Sequence, residues 1–202
     1  MSLRAYIDEI VDLSNEEIAT WLKKNYDIDI EPRAIGHGEE GVAFKIKNTN
    51  ETVKLFFDAK KTNMTDTEIF HYSKNEYLNP ILRIERNSND DVLFYISPLL
   101  METDIDDYKL GDYELEFIHD VMLSDTLNDL IIDYSDPTRD PEAGEFRWDQ
   151  LTEQAQNELE EYLQWLFDMF KSTEGLNISI DFIDNNVMWS DELQTYQLID
   201  WI

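Results

Sequence analysis

Apolar residues near the start of the chain recur at helical spacing: Ile7, Ile10, Val11, Leu13, Ile18, Trp21 and Leu22, from Ala5 to about Lys24. Ser14, followed three residues on by Glu17, has the form of a capping box. The stretch therefore divides into a short helix and a second one beginning near Asn15. The period then drops to two. Ile28-Asp29-Ile30-Glu31 alternates, and the strand continues through Arg33 to Ile35 into Gly36-His37-Gly38-Glu39-Glu40-Gly41. Val42-Ala43-Phe44-Lys45-Ile46-Lys47 alternates again, Thr49-Asn50 reads as a hairpin tip, and Thr52-Val53-Lys54-Leu55-Phe56-Phe57 makes a third strand. Three short strands with tight connections predict an antiparallel meander.

Thr67 to Leu78 reads as a helix, with Ile69, Phe70, Tyr72 and Tyr77 among polar residues, ended by Asn79-Pro80. Two strands follow, Ile81–Glu85 and Val92–Ile96, around the turn-forming Asn87-Ser88-Asn89-Asp90. Beyond Pro98 the pattern is mainly helical. Tyr113 to Tyr134 is one helix, residues 135–147 with Pro137, Pro141 and Gly144 form a loop, and Trp148 to Lys171 is the longest helix. Two short strand-like pieces close the chain, Asn186–Trp189 and Thr195–Ile199, with Asp191-Glu192 in the turn between them. No internal repeat or low-complexity tract is visible.

Composition narrows the classes. The 202 residues are 42% hydrophobic and 12% aromatic, enough apolar material for a real core. The absence of cysteine excludes a disulfide framework, a Cys-ligated zinc and a Cys nucleophile. There is no run of eighteen apolar residues and no basic-then-apolar leader, so the expectation is a soluble, cytoplasmic protein with no membrane partner. The formal charge of −29 argues against direct binding of nucleic acid, whose affinity is carried by Lys and Arg. That charge is uneven: residues 1–100 carry net −6 and residues 101–202 net −23. Such a step marks a boundary near residue 100. The acidic half reads as a solvated surface, as a face aimed at a basic partner, or as a carboxylate array imitating DNA.

Four features could carry chemistry. Gly36-His37-Gly38-Glu39-Glu40-Gly41-Val42 lies between two strands, and a glycine-rich turn lets backbone N–H groups approach phosphates; glycines also serve ordinary hairpins. Lys54 sits on the third strand, where an exposed lysine is commonplace, and Lys45 is a rival one strand earlier. Glu68, with Glu76 as runner-up, is an acid on the following helix, a position where solvated glutamates are equally usual. Asp181-Phe182-Ile183-Asp184-Asn185-Asn186-Val187 follows the long helix, and Leu198-Ile199-Asp200-Trp201 follows the last strands. Asp and Asn also favour turns for local reasons.

In this order the four features resemble the protein-kinase-like superfamily of protein kinases and aminoglycoside phosphotransferases, in a minimal or C-terminally reduced form. The resemblance covers about residues 28–202. It implies an α+β, two-lobed fold: an antiparallel-sheet N-lobe over 28–97 with one main helix, and a reduced, mostly helical C-lobe over 98–202. Residues 1–27 are a helical extension outside the pattern. It further implies ATP and Mg²⁺ as cofactors. Gly36, Gly38, Gly41, Val42 and Lys54 would bind the nucleotide, with Lys54 paired to Glu68. Pro98, Leu99 and Leu100 would form the hinge whose backbone meets adenine. Asp181 would be the catalytic base, and Asn186 and Asp200 the metal ligands.

The chain departs from that pattern in places. Ser179 stands where the family has His, Ile183 where protein kinases have Lys, and the sequence ends two residues after Asp200, short of the family's late helices. Two expectations of different class follow. One is a phosphotransferase moving the γ-phosphoryl group of Mg-ATP to a hydroxyl of a cationic small molecule or basic protein. The other is a non-catalytic kinase-like scaffold whose acidic face engages a basic partner. Other chemistries lack support. His37, His71 and His119 have no metal-ligand spacing, no Gly-x-Ser-x-Gly elbow exists, and Asp133, Asp136, Asp140 and Glu145 lack the EF-hand order. Trp165, Trp189 and Trp201 are expected in the core.

Overall fold

The computed structural model describes residues 13–101, 153–176, 178 and 186–202. They fall into two compact units, one ending at Leu100 and the other running from Met101 to Trp201. The first is a mixed α+β unit built on a five-stranded antiparallel sheet.

Its first helix, α1 (Asn15–Tyr26), begins where the capping box places it. Ser14 accepts from the Glu17 N–H, and the Glu17 carboxylate accepts from the Ser14 N–H at 2.8 Å. Asp27 ends the helix in the left-handed region, at φ 58°. The sheet comprises β1 (Ile30–His37), β2 (Gly41–Ile46), β3 (Glu51–Lys60), β4 (Arg83–Arg86) and β5 (Val92–Pro98), in the order β1-β2-β3-β5-β4. The expected meander is β1-β2-β3, and β5 lies between β3 and the edge strand β4.

Register sorts the side chains into two faces. Phe44 lies opposite Val53, which lies opposite Ile96; Val42 lies opposite Leu55, which lies opposite Phe94. These residues form one core with Ile18 and Leu22 of α1. A twelve-residue helix is marginal alone, and burial of these side chains, worth about 1.5–3 kcal/mol each, is what fixes α1 on the sheet. The opposite face carries Ala43, Lys54, Tyr95 and Ile84 in one cross-strand row, with Thr52 and Ser97 in the next.

Several boundaries differ from the sequence expectation. β1 starts at Ile30 and runs on to His37, so Gly36 is a strand residue, and two bulges bend this edge strand. β3 extends to Lys60 across another irregularity. The second helix, α2 (Asp66–Tyr72), stops well before Leu78. Its end is chemical: the Ser73 hydroxyl donates to the Ile69 carbonyl and accepts from the Ile81 N–H, while the Asn75 side chain accepts from the Tyr77 N–H. These side chains offer the backbone turns in place of further helix. Arg86 then binds the region together, donating to Asp66 at 2.7 Å and to the carbonyls of Met64 and Asp90.

The second unit contains α3 (Glu153–Thr173) and a hairpin of β6 (Val187–Ser190) and β7 (Thr195–Leu198). Tyr162, Trp165, Leu166 and Met169 make the buried stripe of α3, and the helix gives way to Gly175 at φ 80°. Tyr196 of β7 meets Tyr162, Trp165 and Trp189 edge-on at 5.1–5.7 Å between ring centroids. Trp165 and Trp201 are buried as expected, and Trp189 is half-buried. Met101 and Trp189 exchange both backbone hydrogen bonds, which ties the segment after β5 to the hairpin. The short helix before Ser14, the helix over 113–134, the loop over 135–147 and the start of the long helix lie outside the described residues. Among the described residues no helix is long and apolar enough to cross a membrane.

Candidate functional site

The glycine turn joins β1 to β2, and its three glycines differ in what they do. A Cβ on Gly41 would sit 2.1 Å from the Leu55 carbonyl oxygen, so close approach of β2 to β3 demands glycine there. A Cβ on Gly36 would make only ordinary contact with Ala43, and one on Gly38 would meet nothing within 4 Å. Neither takes a left-handed φ. The fold therefore does not need glycine at 36 or 38. The Gly38 N–H donates to the Gly41 carbonyl at 3.0 Å, which closes the turn.

Of the two acids in the turn, Glu40 is turned back onto β3. Its carbonyl accepts from the Phe57 N–H at 2.9 Å, and its carboxylate lies 2.6 Å from Lys60 Nζ. Lys54 extends from the sheet face opposite the α1 core, half-buried, with Nζ 5.5 Å from the centroid of Phe56. Lys60 approaches the same ring at 5.6 Å.

Val42 was expected beside the nucleotide. Its side chain is buried in the core shared with α1, opposite Leu55, while Ala43 shares the face and the cross-strand row of Lys54. The signal was in the sequence: in Val42-Ala43-Phe44-Lys45-Ile46, period two groups Val42 with Phe44 and Ile46. Lys45 is on β2, as expected for the rival position.

Glu68 is also put to a different use from the pairing with Lys54. It is the third residue of α2, and its carboxylate accepts from both the N–H and the hydroxyl of Thr65 at 2.7 Å. Those bonds, the backbone one first, hold its pKa below the ordinary value. Glu76 falls in the turns after α2 and is exposed.

In the segment expected to be a hinge, Pro98 is the last residue of β5 and has no N–H to offer. Its carbonyl accepts from Asn79 Nδ2 at 3.3 Å, and the Leu99 N–H donates to the Asn50 carbonyl at 3.0 Å. A base recognised by those groups would compete with bonds already made. Leu100 is buried.

In the second unit the two residues expected as metal ligands flank the paired part of the hairpin. Val187 pairs with Leu198, and one step further the Ile199 N–H donates to the Asn186 carbonyl at 2.7 Å. Asn186 and Asp200 thus stand at the same open end of the β6–β7 hairpin, both partly exposed. Asp200 has φ 57°, in the left-handed region that Asp27, Asn48, Asp90 and Gln194 also adopt. An amide oxygen and a carboxylate are hard donors, the type Mg²⁺ takes from a protein when phosphates and water complete its shell. Among the described residues there is no group of three or more His, Cys, Asp or Glu able to hold a metal alone. Asp181, Ser179 and Ile183 lie outside the described residues.

No protein-family model matches the chain, and no curated protein matches it. Among solved structures it is similar to a thermostable mutant of aminoglycoside phosphotransferase APH(4)-Ia in its apo form. That similarity has 15% identity, covers 91% of this chain and 70% of that one, and has a TM-score of 0.36.

Proposed function

We propose that the chain is a kinase-like protein that binds Mg-ATP and transfers its γ-phosphoryl group to a hydroxyl of a cationic acceptor. The observation that carries this reading is the backbone register that sets Asn186 and Asp200 at one end of the hairpin, through the Ile199 N–H bond to the Asn186 carbonyl. Second in weight is the glycine turn, in which Gly36 and Gly38 lack side chains where packing does not require it.

In this reading the glycine turn and Lys54 would hold the phosphates, and Asn186 and Asp200 would hold Mg²⁺. Bound there, the ion would neutralise charge on the phosphates and align the transferring group. Asp181 takes the proton of the acceptor hydroxyl as its oxygen bonds to the γ-phosphorus and the bond to the β-phosphate oxygen breaks. The net −23 of residues 101–202 favours a cationic acceptor, such as a polyamine-like small molecule or a basic protein segment.

A second reading is a nucleotide-binding scaffold without turnover. The capping role of Glu68 favours it, because its carboxylate is held by Thr65, whereas active protein kinases turn the helix glutamate to the strand lysine.

Calorimetry of the whole chain with ATP, with and without Mg²⁺, is the test. Mg²⁺-dependent binding that Asp200→Asn removes is the expected result. Absence of binding at millimolar nucleotide would overturn both readings, and binding without phosphoryl transfer to any cationic acceptor would leave the scaffold.

A further inference from the structure

The strongest unassigned arrangement in the first unit is the attachment of Glu40 to β3. Glu40 is joined twice to the same strand. Its carbonyl accepts from the Phe57 N–H, and its carboxylate pairs with Lys60 at 2.6 Å, three residues further along. Lys60 is not a freely solvated partner: its side chain is 22% exposed, and its ammonium lies within 5.6 Å of the Phe56 ring. Phe56 is itself buried and has Lys54 on the same ring. The contact spans twenty residues of sequence, so it is a tertiary clasp between the turn and the strand that carries Lys54.

We infer that the Glu40–Lys60 pair is a positioning clasp for the nucleotide-binding turn: it fixes the turn on β3, so that the segment Gly36–Glu39 is already shaped before phosphate arrives. This rests on the function proposed above. Loss of either partner frees the side-chain attachment and leaves only the Phe57 bond and the close approach at Gly41. An ordered turn costs less entropy to bind, which is how a residue that touches no phosphate raises affinity.

Charge alone makes a different prediction, and this separates the two ideas. Glu40 brings a negative charge near the phosphate-binding turn, so removing it would strengthen binding of an anion if the field were all that mattered. Removing Lys60 would weaken it. A clasp predicts that both removals weaken binding.

The experiment measures Mg-ATP affinity for the full-length wild type, Glu40→Gln, Lys60→Met and the charge swap Glu40→Lys with Lys60→Glu. Amide hydrogen exchange at Gly38 and Phe57 is followed in the same four proteins without nucleotide. For a partly exposed pair the expected loss is about three- to fivefold in each single variant. Exchange at the two amides should be faster in both singles, and the swap should recover most of both effects. Unchanged or tighter binding by Glu40→Gln, beside a wild type that binds, would overturn the clasp. If the wild type does not bind ATP, the proposed function fails. The clasp then stands or falls on hydrogen exchange, and equal exchange in all four proteins would overturn it.

Discussion

The two faces of the five-stranded sheet are built from the same strands, one residue out of step, and they serve different purposes. On one, Val42, Phe44, Val53, Leu55, Phe94 and Ile96 are buried together with Ile18 and Leu22 of α1. On the other, the same strands present Ala43, Lys54, Thr52 and Ser97, with Phe56 and Tyr95 buried against each other. The first face consists of large apolar side chains with no group to spare for chemistry. The second combines a half-buried lysine, a pair of hydroxyls 3.1 Å apart and two aromatic rings. Stability and candidate chemistry are thus separated by the pleat alone, and neighbouring residues should respond to mutation in opposite ways.

The sharpest break should come from the core face. Phe44→Ala removes a fully buried ring between β2 and α1, and should cost about 3–5 kcal/mol in a denaturant titration. A loss under about 1 kcal/mol would contradict the assignment of Phe44 to a packed interior. Next come the glycines of the turn. Gly41→Ala forces a methyl group onto the Leu55 carbonyl and should destabilise by about 1–3 kcal/mol, whereas Gly38→Ala should stay within about 0.5 kcal/mol. Equal costs at the two positions would show that the turn does not approach β3 as described.

Much of this was legible from residue order. The capping box at Ser14 fixed the start of α1, and period two located the centres of β2, β3 and β5. It also contained the two-face division, although Val42 was assigned by its place after the last glycine and not by its alternation with Phe44. The ends of elements were less readable, because they depend on local competition. Ser73 stops α2 by bonding both Ile69 and Ile81, and a serine in a helical pattern does not announce a distant partner. Long-range pairing was not readable at all: neither Glu40–Lys60 nor the arginine staple at Arg86 leaves a periodic trace. At the candidate site the sequence supplied Asn186 and Asp200, but not that one carbonyl bond would set them at one end of the hairpin.

On the polar face, Lys54→Met should leave folding nearly untouched, within about 0.5 kcal/mol, because the lysine is only half-buried. If Lys54 holds phosphate, ATP affinity should fall roughly ten- to a hundredfold, the worth of one charge-assisted hydrogen bond. Stability lost without any change in nucleotide binding would place Lys54 with the core face in function, and would remove it from the proposed site.

The smallest effect concerns two glutamates in matching local geometry. Glu17 and Glu68 each close a capping box, each accepts from the backbone and hydroxyl of the cap residue, and each has a pKa held low by those bonds. A folded-state pKa below the unfolded one means that the carboxylate stabilises the fold above its ordinary titration range, and that this contribution fades as pH falls through the lowered value. Glu17→Gln and Glu68→Gln should therefore both lower the melting temperature slightly near neutral pH, and the difference from wild type should shrink in acid. Glu17 lies on α1, remote from the glycine turn in sequence, so it serves as the control for a cap and nothing more. If Glu68 is likewise only a cap, the two variants should match in melting temperature, in its pH dependence and in ATP affinity. A loss of nucleotide binding or turnover peculiar to Glu68→Gln would show that the carboxylate leaves Thr65 to reach Lys54 when ATP is bound, and would favour the active enzyme over the scaffold.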